Sequence, residues 1–104
     1  MASCKLKSCR LRPRALDDLE AIWLYTAAQW SVDQADLYIR QLTAGMDLLL
    51  EQPEIARERT ELTPPVRIHP VASHLIVYRI EAEHLDIIRI RHGREDWTHD
   101  PLGE

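Results

Sequence analysis

Residues 73–96 read SHLIVYRIEAEHLDIIRIRHGRED, a strand, a polar turn and a second strand. Side chains two apart on a strand share a face. In the first strand Ile76, Tyr78 and Ile80 then share one face, with Leu75, Val77 and Arg79 on the other. In the second, Ile88 and Ile90 fall on one face and Leu85, Ile87, Arg89 and Arg91 on the opposite one. The hairpin read this way has one dry face and one mixed face. A hairpin alone is marginal in water, so the dry face needs a cover. The mixed face, apolar at one end and carrying Arg79, Arg89 and Arg91, is where function is expected.

The cover lies upstream. Pro13 suits the first turn of a helix, where its missing N–H costs nothing, and Asp17, Asp18 and Glu20 follow near the positive helix end. A helix over 13–29 aligns Leu16, Leu19, Ile22, Trp23, Ala27 and Trp30 in one apolar stripe and leaves Leu24 and Tyr25 off its centre as exposed contacts. Ser31 and Gln34 form a capping box, with Trp30 and Ala35 in the staple positions. A second helix over 32–51 carries the stripe Ala35, Tyr38, Ile39, Leu42, Met46 and Leu49 until Pro53 stops it. With so short a link the helices must fold back antiparallel. Leu37, Leu48 and Leu50 add apolar surface beyond what one sheet face requires.

Residues 53–65 read as a polar loop between prolines, and 66–69 as a short edge strand ended by Pro70. Residues 8–12 make a first strand with Cys9 and Leu11 inward. The order is β-α-α-β-β-β, an α+β fold with a helical hairpin packed on one face of a small, mainly antiparallel sheet.

At 104 residues the chain is expected to be one domain, 1–104, with 1–7 and 98–104 loose. Hydrophobic residues at 45% and charged residues at 29% are the balance of a globular protein. A net charge of −4 argues against a protein held on nucleic acid by its overall charge. No apolar run approaches the ~20 residues of a membrane span and the N-terminus has no apolar leader, so a cytoplasmic location is expected. Cys4 and Cys9 have no second pair to complete a zinc site, and the five histidines show no metal-ligand spacing. Neither a Gly-rich phosphate loop nor a G-x-S-x-G elbow is present. No cofactor and no metal are expected.

Five stretches in this order, RPRALDDLEAIWLYTAAQW (12–30), SVDQADLYIRQL (31–42), EQPEIA (51–56), VRIHPVASHLIVYRI (66–80) and IIRIRHGRED (87–96), resemble the ParE branch of the RelE/ParE toxin superfamily. The resemblance implies a toxin of a type II toxin–antitoxin pair. It would inhibit DNA gyrase, stall replication and arrest growth until a ParD-like antitoxin neutralises it in a hetero-oligomer, with DNA binding only through the antitoxin. The superfamily also contains ribosome-dependent mRNA endonucleases of RelE type. Their pattern has an arginine where this chain reads Leu75, lysines where it reads Leu62, Thr63, Pro64 and Pro65, and a C-terminal tyrosine that Arg94 to Trp97 do not supply. An aliphatic side chain cannot stabilise a phosphate. The reading is therefore a non-catalytic binding toxin without catalytic residues; the alternatives are the RelE-type endonuclease and a non-toxic antitoxin-binding scaffold.

On this reading the end of the hairpin, Arg91, His92, Arg94 and Trp97, binds the target, because arginine and tryptophan beyond a rigid strand are the types enriched at binding hot spots. The antitoxin is expected on Leu24, Tyr25, Leu75, Val77, Arg79 and Arg89, where surplus apolar surface and the mixed face meet.

Overall fold

The helices start where their local chemistry permits. The structure is a computed structural model and describes residues 8–94; what was expected of 1–7 and of 95–104, Trp97 included, lies outside the described residues. Helix α1 (Pro13–Gln29) has its proline in the first turn, where no intrahelical bond is lost. Helix α2 (Val32–Glu51) is capped by Ser31, whose Oγ accepts the Gln34 N–H at 3.0 Å. Trp30 and Ser31 alone join the two, so they run antiparallel.

Strands β1 (Ser8–Leu11), β2 (Glu58–Arg59), β3 (Val66–Val71), β4 (His74–Glu81) and β5 (His84–His92) form one sheet in the order β1-β5-β4-β3-β2. β1 is parallel to β5, and the other pairs are antiparallel. β2 falls in the segment read as loop, and it takes the outer side of β3, which is therefore not the edge that sequence suggests. β3 also continues through Pro70, which stands beyond the end of β2, where its missing N–H costs no ladder bond.

The register of the central hairpin departs from plain alternation. β4 and β5 close on Ala82 and Glu83, and Tyr78 stands opposite Ile87, yet Val77 stands opposite Arg89. Ile88 is thus an extra residue, a β-bulge. Side chains change phase across it. Leu85 and Ile87 before the bulge and Ile90 after it join Ile76 and Tyr78 under the helices, while Ile88 joins Val66, Ile68 and Val77 in a second cluster. This corrects the expected grouping, which had Ile88 beside Ile90 and put Leu85 and Ile87 opposite. The face read as mixed is apolar at its centre, with Val77 fully buried and Leu62 and Leu75 packed against it.

Helix α2 buries the stripe the sequence suggests. Ala35, Leu42, Met46 and Leu49 are buried, and Tyr38 and Ile39 pack beside them. Helix α1 is rotated from expectation. Its contributions to the core are Ala15, Leu19 and Ile22, whereas Leu16 and Trp30 are exposed. Trp23 is half-buried rather than core, and its indole N–H donates to Asp36 Oδ1 at 2.9 Å, tying the two helices together.

Where α2 crosses the sheet the approach is close. A Cβ on Gly45 would lie 2.6 Å from Val71 Cγ2, inside van der Waals contact with a side chain that has no flexible end to swing away. Gly45→Ala gains about 1 kcal/mol in helix propensity and loses about 1–3 kcal/mol to overpacking. A net loss of about 1 kcal/mol is the expected result in urea denaturation. A variant more stable than the parent would show that the helix and sheet separate freely.

Candidate functional site

The C-terminal half of β5 is held by a helix rather than by a strand. After Leu11 the chain leaves β5; Arg12 N–H gives a last bond to Ile87 O at 3.0 Å and α1 begins. Among the described residues no strand then lies beside Ile90 N–H. Asp18 of α1 fills that place, its Oδ2 accepting from Ile90 N–H at 2.9 Å and from Arg89 Nε at 2.7 Å, and its Oδ1 from Arg89 Nη2 at 2.9 Å. The carboxylate read from sequence as helix-dipole compensation is a clamp between layers.

Between the helical hairpin and the start of β4 and end of β5 lies a groove of about 530 Å³, lined among others by Ile22, Tyr25, Trp30, Tyr38, His74 and His92. Three of these form a ladder across its floor. Tyr38 Oη accepts the Ser73 N–H at 3.1 Å and meets His74 Nδ1 at 2.6 Å. The Tyr38 and His74 rings are 5.4 Å apart, edge to face, and those of His74 and His92 are 5.1 Å apart, again edge to face. His92 Nδ1 accepts the Arg94 N–H at 3.1 Å. Among the described residues that line it none is Asp, Glu, Lys or Arg, and five of them, Tyr25, Trp30, Tyr38, His74 and His92, are aromatic.

The residues singled out from sequence fall in different places. Leu24 and Tyr25 are exposed, Tyr25 to 67%, and Tyr25 walls the groove. Val77 is a core residue with no accessible surface, so the expectation that it meets a partner is corrected. Leu75 is half-buried against the same cluster. Arg79 is half-exposed near Glu81, their closest approach being 3.7 Å, and Arg89 is committed to Asp18. Arg91 is only 9% exposed, His92 lies in the groove, and Arg94 is exposed at the strand end. Sequence reasoning missed Asp18, Trp30 and His74 as members of this region and took Tyr38 for core alone. The signal was present in a form that needed the register: His74 meets His92 because of the bulge, and without it would face Arg91.

Elsewhere the chemistry is quiet. Among the described residues no group of three or more His, Cys, Asp or Glu side chains gathers as a metal site. The Cys9 thiol is pushed up by burial first, then by Asp47 and Asp86, which keeps it protonated and unreactive. Among the described residues no helix is long and apolar enough to cross a membrane.

A helical hairpin laid on one face of a β1-β5-β4-β3-β2 sheet, with a parallel β1 at one edge, is the architecture of the RelE/ParE superfamily of small toxins. Within it the family described as ParE toxin of type II toxin-antitoxin system, parDE, matches residues 9–97, and this chain belongs to that family. Toxin ParE1 of Mycobacterium tuberculosis is 38% identical over 87 residues, which cover 83% of this chain and 89% of that protein. Toxin ParE1 of Caulobacter vibrioides is 34% identical over 87 residues, covering 84% and 90%. A solved structure titled as the chromosomal ParDE TA system from P. aeruginosa superposes with a TM-score of 0.73 at 17% identity, over 86% of this chain and 98% of that one, a likeness of fold.

Proposed function

We propose that this chain is a non-catalytic toxin that binds and inhibits DNA gyrase in the cytoplasm and is neutralised by a ParD-like antitoxin. The observation that carries the non-catalytic part is the apolar second cluster of the sheet. Leu75, at the position where the RNA-cleaving branch keeps an arginine, packs against Val66, Ile68, Val77 and Ile88. A scissile phosphate develops charge that only cations or hydrogen-bond donors stabilise. Family membership supports the antitoxin and the gyrase target.

On this reading the exposed Leu24, Tyr25 and Trp30, with the groove behind them, are the candidates to meet the antitoxin, and the exposed Arg94 is the candidate to meet the target. Purified protein should inhibit gyrase supercoiling and leave mRNA uncut in a translating extract; mRNA cleavage without gyrase inhibition would replace this reading by the endonuclease one. Arg94 is exposed at a strand end, so Arg94→Ala is expected to weaken inhibition at least tenfold, as hot-spot truncations of 2 kcal/mol or more do, with melting temperature unchanged. Full inhibition by this variant would move the target surface to the outer side of the hairpin around Tyr25.

A further inference from the structure

We propose that the outer face of the helical hairpin is a self-association surface, on which two copies of this chain pack as a four-helix layer about a two-fold axis parallel to the helices. The proposal goes beyond the toxin reading and does not rest on it.

The face is set by the helix period. At about 100° per residue, Leu24 points almost directly away from Ala15, Leu19 and Ile22, the α1 residues packed in the core, and Leu37 nearly as far from Ala35, Leu42, Met46 and Leu49 of α2. Both leucines are exposed, to 55% and 56%. Their levels also match. The Trp23–Asp36 bond at 2.9 Å ties the hairpin together, and Leu24 and Leu37 follow these two residues directly, so they stand at one height to within about 3 Å. Ala28 and Ala44 are exposed on the same face and small enough to let a second layer of helices come close. Tyr25, on the groove wall, is turned about 100° further round α1, so this face is distinct from the groove.

Charge decides the occupant. About one turn from Leu24 and Leu37, on the side away from the connection, lie Glu20 of α1 and Arg40 of α2. Both are exposed, and among the described residues neither enters an ion pair. A two-fold axis parallel to the helices and midway between them lays α2 of the second copy antiparallel over α1 at equal height. Leu24 then meets Leu37 of the partner subunit and Glu20 meets Arg40 of the partner subunit, and each contact occurs twice because the interface is isologous. The acidic Asp17 and Asp33 fall opposite Ala44 of the partner subunit and Ala28 of the partner subunit, so neither meets a like charge.

The size is that of a weak dimer. Overlap along the 17 residues of α1 is about 25 Å long and two helices are about 20 Å wide, which buries about 500 Å² on each copy and roughly 1,000 Å² in all. That is the lower limit for a specific interface, so a dissociation constant of roughly 10 µM is expected. Leu24 is shared with the candidate antitoxin surface, which makes the antitoxin the competing occupant.

The test is sedimentation equilibrium of the purified full-length protein from about 1 to about 500 µM, a range that brackets the expected constant. The parent is expected to pass from monomer to dimer. Leu37→Asp, at an exposed position, buries a charge twice and should raise the dissociation constant at least about a hundredfold. Glu20→Arg alone and Arg40→Glu alone each set like charges together twice and should weaken the dimer about tenfold, whereas the double reversal should return to within about threefold of the parent. A parent that stays monomeric overturns the proposal, and a loss of antitoxin affinity in Leu37→Asp would then give the face to the antitoxin. A dimer that Leu37→Asp leaves intact, or single reversals that the double does not rescue, overturns it as well by placing the interface elsewhere. If Leu37→Asp fails to fold, the three charge variants decide alone.

Discussion

Tyr78→Ala is expected to cost about 4 kcal/mol, a large share of the stability of a domain this size. The ring is fully buried in the main core beside Leu42, Leu49, Ile76 and Ile87, so truncation leaves a cavity that β-sheet neighbours cannot close. Its hydroxyl is a second element: it donates to Pro53 O at 2.6 Å, and Arg67 Nη1 reaches Ala56 O at 2.6 Å nearby. These two bonds pin the start of the segment that leads from α2 into β2. Tyr78→Phe separates the effects, keeping the ring and leaving the Pro53 carbonyl short of a partner, at about 1–2 kcal/mol. Urea denaturation of the three proteins measures both numbers; an alanine variant within 1 kcal/mol of the parent would contradict this placement. The phenol also has an alkaline signature. Burial pushes it above its ordinary 10.0, with the charge of Arg67 and a backbone bond from Ala56 pulling the other way. A raised folded value means that stability is intact below about pH 10 and falls as pH rises above it, so the parent should lose stability there faster than Tyr78→Phe.

Asp18→Ala is expected to cost about 3 kcal/mol. The carboxylate and the Arg89 guanidinium each keep only 16% of their side-chain surface exposed, and removing Asp18 takes the charge partner at 2.7 Å from a largely desolvated cation and the acceptor from Ile90 N–H. Breaking a buried pair typically costs about 3–5 kcal/mol, and the residual exposure places this one at the lower end. Asp18→Asn keeps an acceptor for Ile90 N–H without the charge, and its loss should be about half as large. Because the clamp orients the segment that ends in His92 and Arg94, amide exchange should accelerate from Ile90 to Gly93 in Asp18→Ala before it does in β1. Uniform acceleration over the whole sheet would mean that Asp18 has no local role.

Local chemistry alone determined the element boundaries and most of the order. Pro13, the Ser31 cap and Pro53 act within one turn of where they stand, so both helices lie where the sequence puts them, and the stripe Ala35, Leu42, Met46, Leu49 needs only the 3.6-residue period to be read. The family is legible for the same reason, as a series of short motifs in order along the chain. What the tertiary structure decided is everything that depends on phase between elements. The rotation of α1 follows from Asp18 being drawn to an edge N–H that exists only because β1 stops at Leu11. β2 exists because β3 offers it an edge, and two residues, Glu58 and Arg59, carry no period to announce it. The single extra residue at Ile88 decides the most. Side chains on a strand repeat every two residues, so one insertion reverses every face beyond it. That reversal buries Ile90, takes Arg91 off the helix-covered face and sets His92 against His74 under Tyr38. No alternation pattern within β4 or β5 contains that information, because the bulge is a property of how the two strands pair.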